Sequence, residues 1–426
     1  MKRPPWLLVV LAGALIGAVF AAISTYDFVA HLDRQVHNLH CSFIPGVSHA
    51  GESGCQVAMM SPYSSVLRTR VWGGVPIALP ALAVFAFLAF FALDLVVTRR
   101  KADPRATGLL ALATALPAAT SLVMLTISLA KLGTTCKLCV GIYVASALCL
   151  VGGVMSWRRA RAGAAVGHAA SGAQLVAVHP ATTSNAMLAA LVGLGAAFVA
   201  VPVILYLALA PDHARFIGTC DALVHPDDTY HVMVPLAPHP GGAPTLEVLD
   251  PLCPACRAFE QRLDASGLAD RLDRRAVVFP LDNTCNWMVT EATHPGACTV
   301  SEAVLCAGDQ APAVIAWAFE HSDEIRAAAK ADPGAAARAV KQRFPAVAAC
   351  LGSPEARSRL NKSLRWIVAN NLRVLTPQVY VDQVKLCDED VDLGLEYTLA
   401  RMLERHAAHT LQAVPAEAAP ARGGAK

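Results

Sequence analysis

Charge is scarce in this 426-residue chain: Asp, Glu, Lys and Arg make up 16% of it against 55% hydrophobic residues, and the mean hydropathy is +0.46. That balance excludes an ordinary soluble enzyme. Net charge is only +3, so nucleic acid is not implied. Five stretches have no Asp, Glu, Lys or Arg at all: residues 6–24, 71–93, 106–130, 138–157 and 186–210. Each is long enough to cross a bilayer core of roughly 30 Å as a helix. Because these stretches carry no internal charge, the usual mark of an ion pathway is missing. Cysteine is absent from the connections 94–105 and 158–185, and histidine is absent after both Cys-x-x-Cys pairs, where Val140 and Arg257 stand. The second absence excludes attachment of c-type haem.

The basic residues are placed asymmetrically. Lys2 and Arg3, then Arg99, Arg100, Lys101 and Arg105, then Arg158, Arg159 and Arg161 fall in alternate connections. With nine basic residues on that side and five on the other (Arg34, Arg68, Arg70, Lys131, Lys137), the positive-inside rule puts the N-terminus in the cytoplasm. The loop 26–70 and everything after the fifth span then lie outside. Cysteine usage agrees, since the chain's 13 cysteines avoid the connections assigned to the cytoplasm. The first apolar stretch resembles a signal peptide, but it exceeds the usual length of the apolar core of one, and a retained helix is expected.

This pattern predicts a four-helix transmembrane bundle over residues 1–157, a cytoplasmic linker over 158–185 and a tethering helix over 186–210. A soluble α/β domain follows over 211–413, and the tail 414–426, rich in Ala, Pro and Gly, is expected to be disordered. In the soluble part, 231–236, 245–249, 276–281 and 378–381 read as strands. Residues 257–272 read as a helix, 311–369 as a helical insertion and 392–409 as a closing helix.

Cys136-Lys137-Leu138-Cys139 sits at the outer mouth of the fourth span, and Cys253-Pro254-Ala255-Cys256 lies between a strand and a helix. This spacing at a helix start brings two sulfurs within bonding reach, and the helix N-terminus stabilises the attacking thiolate. A zinc ribbon needs its two pairs about 15–20 residues apart, so no metal is expected. Cys41 and Cys55 lie in the outer loop. They read either as a staple closing that loop or as a mobile dithiol that carries electrons between the two pairs by thiol–disulfide exchange. Of the remaining cysteines, Cys149 reads as buried packing and Cys220 has no assignment. Structural disulfides are expected among Cys285, Cys298, Cys306, Cys350 and Cys387, with Cys285–Cys298 the nearest pair. His294 reads as a loop residue.

On Cys41, Cys55, Ser61, Gly74-Val75-Pro76, Cys136, Cys139 and Tyr143, the chain resembles bacterial vitamin K epoxide reductase homologues fused to a thioredoxin-like domain. The resemblance implies four helices around a quinone, ubiquinone or menaquinone, with Cys139 facing it. It also implies that Cys136 exchanges with Cys41 and that Cys55 meets the thioredoxin-like domain. Tyr143, one turn beyond Cys139, would donate to a quinone carbonyl or else anchor the helix at the interface. Ser61 would line the same site or cap a helix. The soluble domain resembles DsbA-type oxidoreductases, on Cys253, Cys256 and Thr376-Pro377. The resemblance makes Cys253 the nucleophile, Cys256 the resolving thiol and Pro377 a cis proline beside the substrate.

The expected function is therefore an oxidoreductase of the inner bacterial membrane. It would oxidise exported proteins with reduced cysteines, pass the electrons to the membrane quinone pool, and have the lipid bilayer as its other partner. Epoxide reduction through the same cysteines and a tethered thiol-dependent chaperone or isomerase are the alternative readings.

Overall fold

The structure, a computed structural model, describes residues 6–35, 54–170 and 183–413. The chain divides into two units, Met1–Pro211 and Asp212–Lys426. Cys41 and the tail 414–426 lie outside the described residues, as do residues 171–182 of the expected linker.

In the first unit α1 (Trp6–Ala30) is followed by the short α2 (Gly54–Met60) and a two-stranded ribbon, β1 (Ser65–Val66) and β2 (Val75–Pro76). Then come α3 (Ala78–Val97), α4 (Pro104–Ala130), α5 (Lys137–Ala170) and α6 (Asn185–Leu209). Five helices are long and apolar enough to cross a membrane, and the protein is an integral membrane protein. Helix α1 packs against α3 and α5, and α4 packs against α5. Their core is built from Val10 and Ala14, Phe85, Leu88 and Phe91, Leu110, Ala145 and Cys149. A Cβ on Gly17 would lie 2.5 Å from the Phe85 ring, so glycine there lets α1 and α3 approach closely.

The sequence boundaries shift in ways with clear causes. The second span starts at Ala78, not residue 71, because the stretch before it folds into the β1–β2 ribbon. Helix α4 starts where expected for a capped helix: the Asp103 side chain accepts from Arg105 N and Pro104 occupies the first turn. The same carboxylate accepts from Thr183 N at 2.7 Å, which ties the approach to α6. Helix α6, expected as a tether, also packs on α3. Phe198 meets Phe87 and Phe90 at 5.7 and 5.9 Å, and Tyr206 Oη donates to Gly74 O at 2.8 Å. Helices α1 and α3 also run further than their uncharged stretches, and so take in Asp27 and Asp94. Asp94 pairs with Arg100, and Asp27 is buried.

The second unit holds β3 (Val234–Ala237), β4 (Ala243–Leu249), α7 (Pro254–Ser266) and β5 (Leu272–Val278). An insertion of α8 (Ala297–Cys306), α9 (Ala311–Glu320), α10 (Ser322–Ala331), α11 (Ala335–Arg343) and α12 (Pro354–Ala369) follows. The chain then closes with β6 (Gln378–Val381), β7 (Val384–Lys385) and α13 (Leu395–Ala413). The sheet order is β3-β5-β4-β6-β7, with β4 and β5 parallel across α7 and the other neighbours antiparallel. This is a thioredoxin fold with a helical insertion. Strand alternation sends Leu246 and Val248 into one core with Trp366 and Tyr380, and Leu249 into the other with Val304 and Phe319. The helix after the Cys pair ends at Ser266, short of the expected residue 272, because Gly267 takes φ of +69° and stops it. Three disulfides join Cys220–Cys387, Cys285–Cys298 and Cys306–Cys350, while Cys149 is a buried free thiol.

Candidate active sites at two Cys-x-x-Cys turns

Both pairs are built by one local device. In each, the first cysteine stands just before a helix and the backbone N–H of the second points at its sulfur: Cys139 N to Cys136 Sγ and Cys256 N to Cys253 Sγ, each at 3.4 Å. Cys253 is the N-cap of α7, and Pro254 takes the first position, where its missing N–H costs nothing.

In the thioredoxin-fold domain, the hydrogen bond from Cys256 holds the Cys253 thiol down to about 6, against burial, with Thr376 adding to the effect. Burial, followed by the bond to Cys253, pushes Cys256 far up. The pair thus has one ionised attacker and one buried protonated thiol. Cys253 Sγ lies 3.6 Å from the carbonyl of Thr376, whose peptide bond to Pro377 is cis. Beneath the turn, Arg274 binds Glu247 at 2.7 Å and also Glu260. Burial pushes Glu247 up to about 7 despite Arg274.

In the membrane unit, Cys136 is buried and its sulfur lies 3.3 Å from the sulfur of Cys55, which is itself disulfide-bonded. The hydrogen bond from Cys139 lowers the Cys136 thiol to about 7, ahead of burial, which opposes it. The resemblance implied Cys41 as the exchange partner of Cys136; Cys41 lies outside the described residues, and the sulfur found beside Cys136 is that of Cys55. Gly54 permits this approach. A Cβ there would come within 2.5 Å of Thr134 Oγ1 and Thr135 O, so only glycine lets the start of α2 lie against the approach to Cys136.

The two thiols open on a cavity of about 400 Å³, lined mainly by apolar side chains of α1, α3, α4 and α5. Cys55, Cys136, Cys139, Ser61 and Tyr143 all line it, as does Val199 of α6. Its size and apolar walls fit a ring-shaped hydrophobic ligand such as a quinone. Ser61 is buried and spends its hydroxyl proton on Ala58 O at 2.7 Å, so only its lone pairs face a ligand. Asp27 also lines the cavity and was not singled out from sequence, because it lies beyond the uncharged stretch. Among the described residues, the one group of ligating atoms close enough to hold a metal is Cys220, Cys387 and Glu389, and its two sulfurs are already bonded to each other.

His294 was read as a loop residue and is one, but it is buried and its Nδ1 lies 2.7 Å from Asp250 Oδ2. Asp250 is fully buried three residues before Cys253. Neither residue's role could be read from the sequence, because the two lie 44 positions apart.

Residues 8–153 match the family model described as Vitamin K epoxide reductase family. No curated protein matches the chain. Among solved structures, the oxidoreductase DsbA from Xylella fastidiosa is similar at 18% identity and a TM-score of 0.30, covering 41% of this chain and 91% of that one. The reduced DsbA1 from Neisseria meningitidis is similar at 20% identity and a TM-score of 0.28, covering 44% and 98%. Residues 8–153 thus match the vitamin K epoxide reductase family, and the chain is an oxidoreductase.

Proposed function

We propose that the protein oxidises the thiols of exported proteins and delivers the two electrons to a membrane quinone. The observation that carries this reading is the 3.3 Å approach of the Cys136 sulfur to disulfide-bonded Cys55 at the edge of the apolar cavity. A substrate thiolate attacks the Cys253–Cys256 disulfide at Cys253 and expels Cys256, and the substrate's second thiol then resolves the mixed disulfide, so that the substrate leaves oxidised and both cysteines are reduced. The reduced pair then reduces the disulfide of the loop pair Cys41 and Cys55. In turn Cys55 attacks the Cys136–Cys139 disulfide at Cys136, and Cys41 resolves the mixed disulfide. Each exchange moves two electrons and two protons and breaks one disulfide for each one formed. Finally Cys136 and Cys139 close to a disulfide and release two electrons and two protons, which convert quinone to hydroquinone.

Tyr143, one turn from Cys139 on the cavity wall, donates its hydroxyl hydrogen bond to a quinone carbonyl. Thr376 and Pro377 border the substrate strand beside Cys253. The basic-residue asymmetry supports an orientation with the N-terminus in the cytoplasm of a bacterium and both cysteine pairs beyond the inner membrane.

The test uses the purified full chain in detergent, a reduced dithiol protein and a ubiquinone or menaquinone analogue, with quinone absorbance followed in time. Catalytic quinone loss in the unmodified protein, abolished in Cys139→Ala, is expected. A single round of thiol exchange with no quinone loss would contradict the proposal.

A further inference from the structure

The thioredoxin-fold domain buries an acid–base pair that the relay does not use. Asp250 ends the connection from β4 and is fully buried, and His294 is 5% exposed. An isolated carboxylate at such depth is costly unless it is hydrogen-bonded and its charge is balanced. Hydrogen bonds are supplied in full. Oδ1 accepts from Leu252 N at 2.7 Å, and Oδ2 accepts from Leu281 N at 2.7 Å and from His294 Nδ1 at 2.7 Å. Because the other two donors are backbone amides, the balancing charge falls to His294, the ionic partner of Asp250 among the described residues. The backbone carbonyl of Asp250 meanwhile accepts from Cys253 N at 3.0 Å. One residue therefore links the histidine to the turn that presents the nucleophile.

The histidine is held in place as firmly as the acid. His294 N donates to Leu281 O at 2.9 Å, Gly296 N donates to Asp282 Oδ2 at 2.9 Å, and the Cys285–Cys298 disulfide closes the loop that carries it. Burial opposes the charge on His294, but the bond to Asp250 and the charges of Asp250 and Cys253 outweigh it and raise its affinity for a proton. From α10, Arg326 acts the other way.

We propose that His294 is a positioning residue for the exported active site: as a buried cation on Asp250, it keeps that carboxylate from opposing the thiolate of Cys253 and fixes the turn from which Cys253 attacks. The two halves of the pair act on the thiolate with opposite sign. Asp250, a negative charge beside the sulfur, disfavours the thiolate; His294 cancels that effect. The cysteine pair is thereby an oxidising couple in spite of a buried acid next to it, since stabilising the thiolate stabilises the reduced form.

The inference rests on Cys253 being the nucleophile, and its test separates the two ideas. The protein is the full chain in detergent with Cys41, Cys55, Cys136 and Cys139 replaced by Ser, reduced just before use. The rate of Cys253 alkylation by iodoacetamide is measured from pH 4 to 9. In the background protein the rate should follow a thiolate that forms near pH 6; a midpoint near that of free cysteine would overturn the nucleophile assignment itself. His294→Asn keeps an N–H donor near the Nδ1 position and removes the charge. It is expected to raise the midpoint by about one unit, so that alkylation at pH 5 slows by about tenfold. Asp250→Asn removes the opposing charge, and its alkylation at pH 5 is expected to be at least as fast as in the background protein. A purely structural role predicts that both variants slow together, or that neither moves the profile, and either result would overturn the proposal. Should His294→Asn fail to fold, Asp250→Asn decides alone: slower alkylation contradicts the charge argument.

Discussion

The two Cys-x-x-Cys turns share one geometry and differ in everything around it. In both, a helix start aims the second cysteine's N–H at the first sulfur from 3.4 Å, and in both the first thiol falls well below its ordinary value, to about 6 for Cys253 and about 7 for Cys136. Around Cys253 stand buried ionisable groups, Glu247 with Arg274 and Asp250 with His294, and a backbone carbonyl at the cis Thr376–Pro377 bond. Around Cys136 stand a second disulfide and an apolar cavity. The shared turn makes a thiolate. On the proposed function the surroundings choose its electron partner, a polypeptide in one case and a small apolar acceptor in the other.

The sharpest way to break that comparison is to remove one thiol from each side. Cys139→Ala should lower quinone reduction by more than about 10³-fold while Cys253 still completes one exchange with substrate, as read by acid quench and thiol counting. Next in size, Gly54→Ala should push α2 away from Thr134 and Thr135 and carry Cys55 out of reach of Cys136. Transfer between the loop and the bundle should slow by about 10²-fold in stopped-flow, with soluble-domain exchange unchanged. The pH profiles should differ as well. Each thiol reacts as its thiolate, so alkylation falls about tenfold per unit below the midpoint, near pH 6 for Cys253 and near pH 7 for Cys136. At pH 6 the Cys253 site should therefore be the better ionised of the two. Tyr143→Phe should cost about tenfold or less in quinone turnover, the worth of one hydrogen bond of about 1 kcal/mol, with no change in protein-thiol exchange.

Much of this arrangement was legible because it rests on local chemistry. Uncharged runs of membrane length mark the spans, and the Cys-x-x-Cys spacing marks both turns whatever the fold does elsewhere. What stayed hidden depends on neighbours distant in the chain. The approach of Cys55 to Cys136 depends on a glycine that clears Thr134 and Thr135, and α6 is docked by Phe198 on Phe87 rather than by its own hydropathy. Asp27 fell just past the end of an uncharged run, yet the helix continues and buries it beside the cavity. The disulfides followed the same rule: Cys285–Cys298 is close in sequence and was expected, whereas Cys220–Cys387 is separated by 167 residues and needs the folded sheet to bring it together.

The central claim is that electrons enter the bundle through the Cys55–Cys136 contact, and it is tested most directly by trapping that contact. In a protein with Cys41 and Cys139 both replaced by Ala, neither thiol that could resolve a Cys55–Cys136 bond remains, so a mild oxidant such as diamide, which takes up the two electrons and two protons, should join the two sulfurs and the disulfide should persist. Peptide mapping by mass spectrometry without reduction should then find the Cys55 and Cys136 peptides joined. Cys55 and Cys136 both left as free thiols would contradict the account.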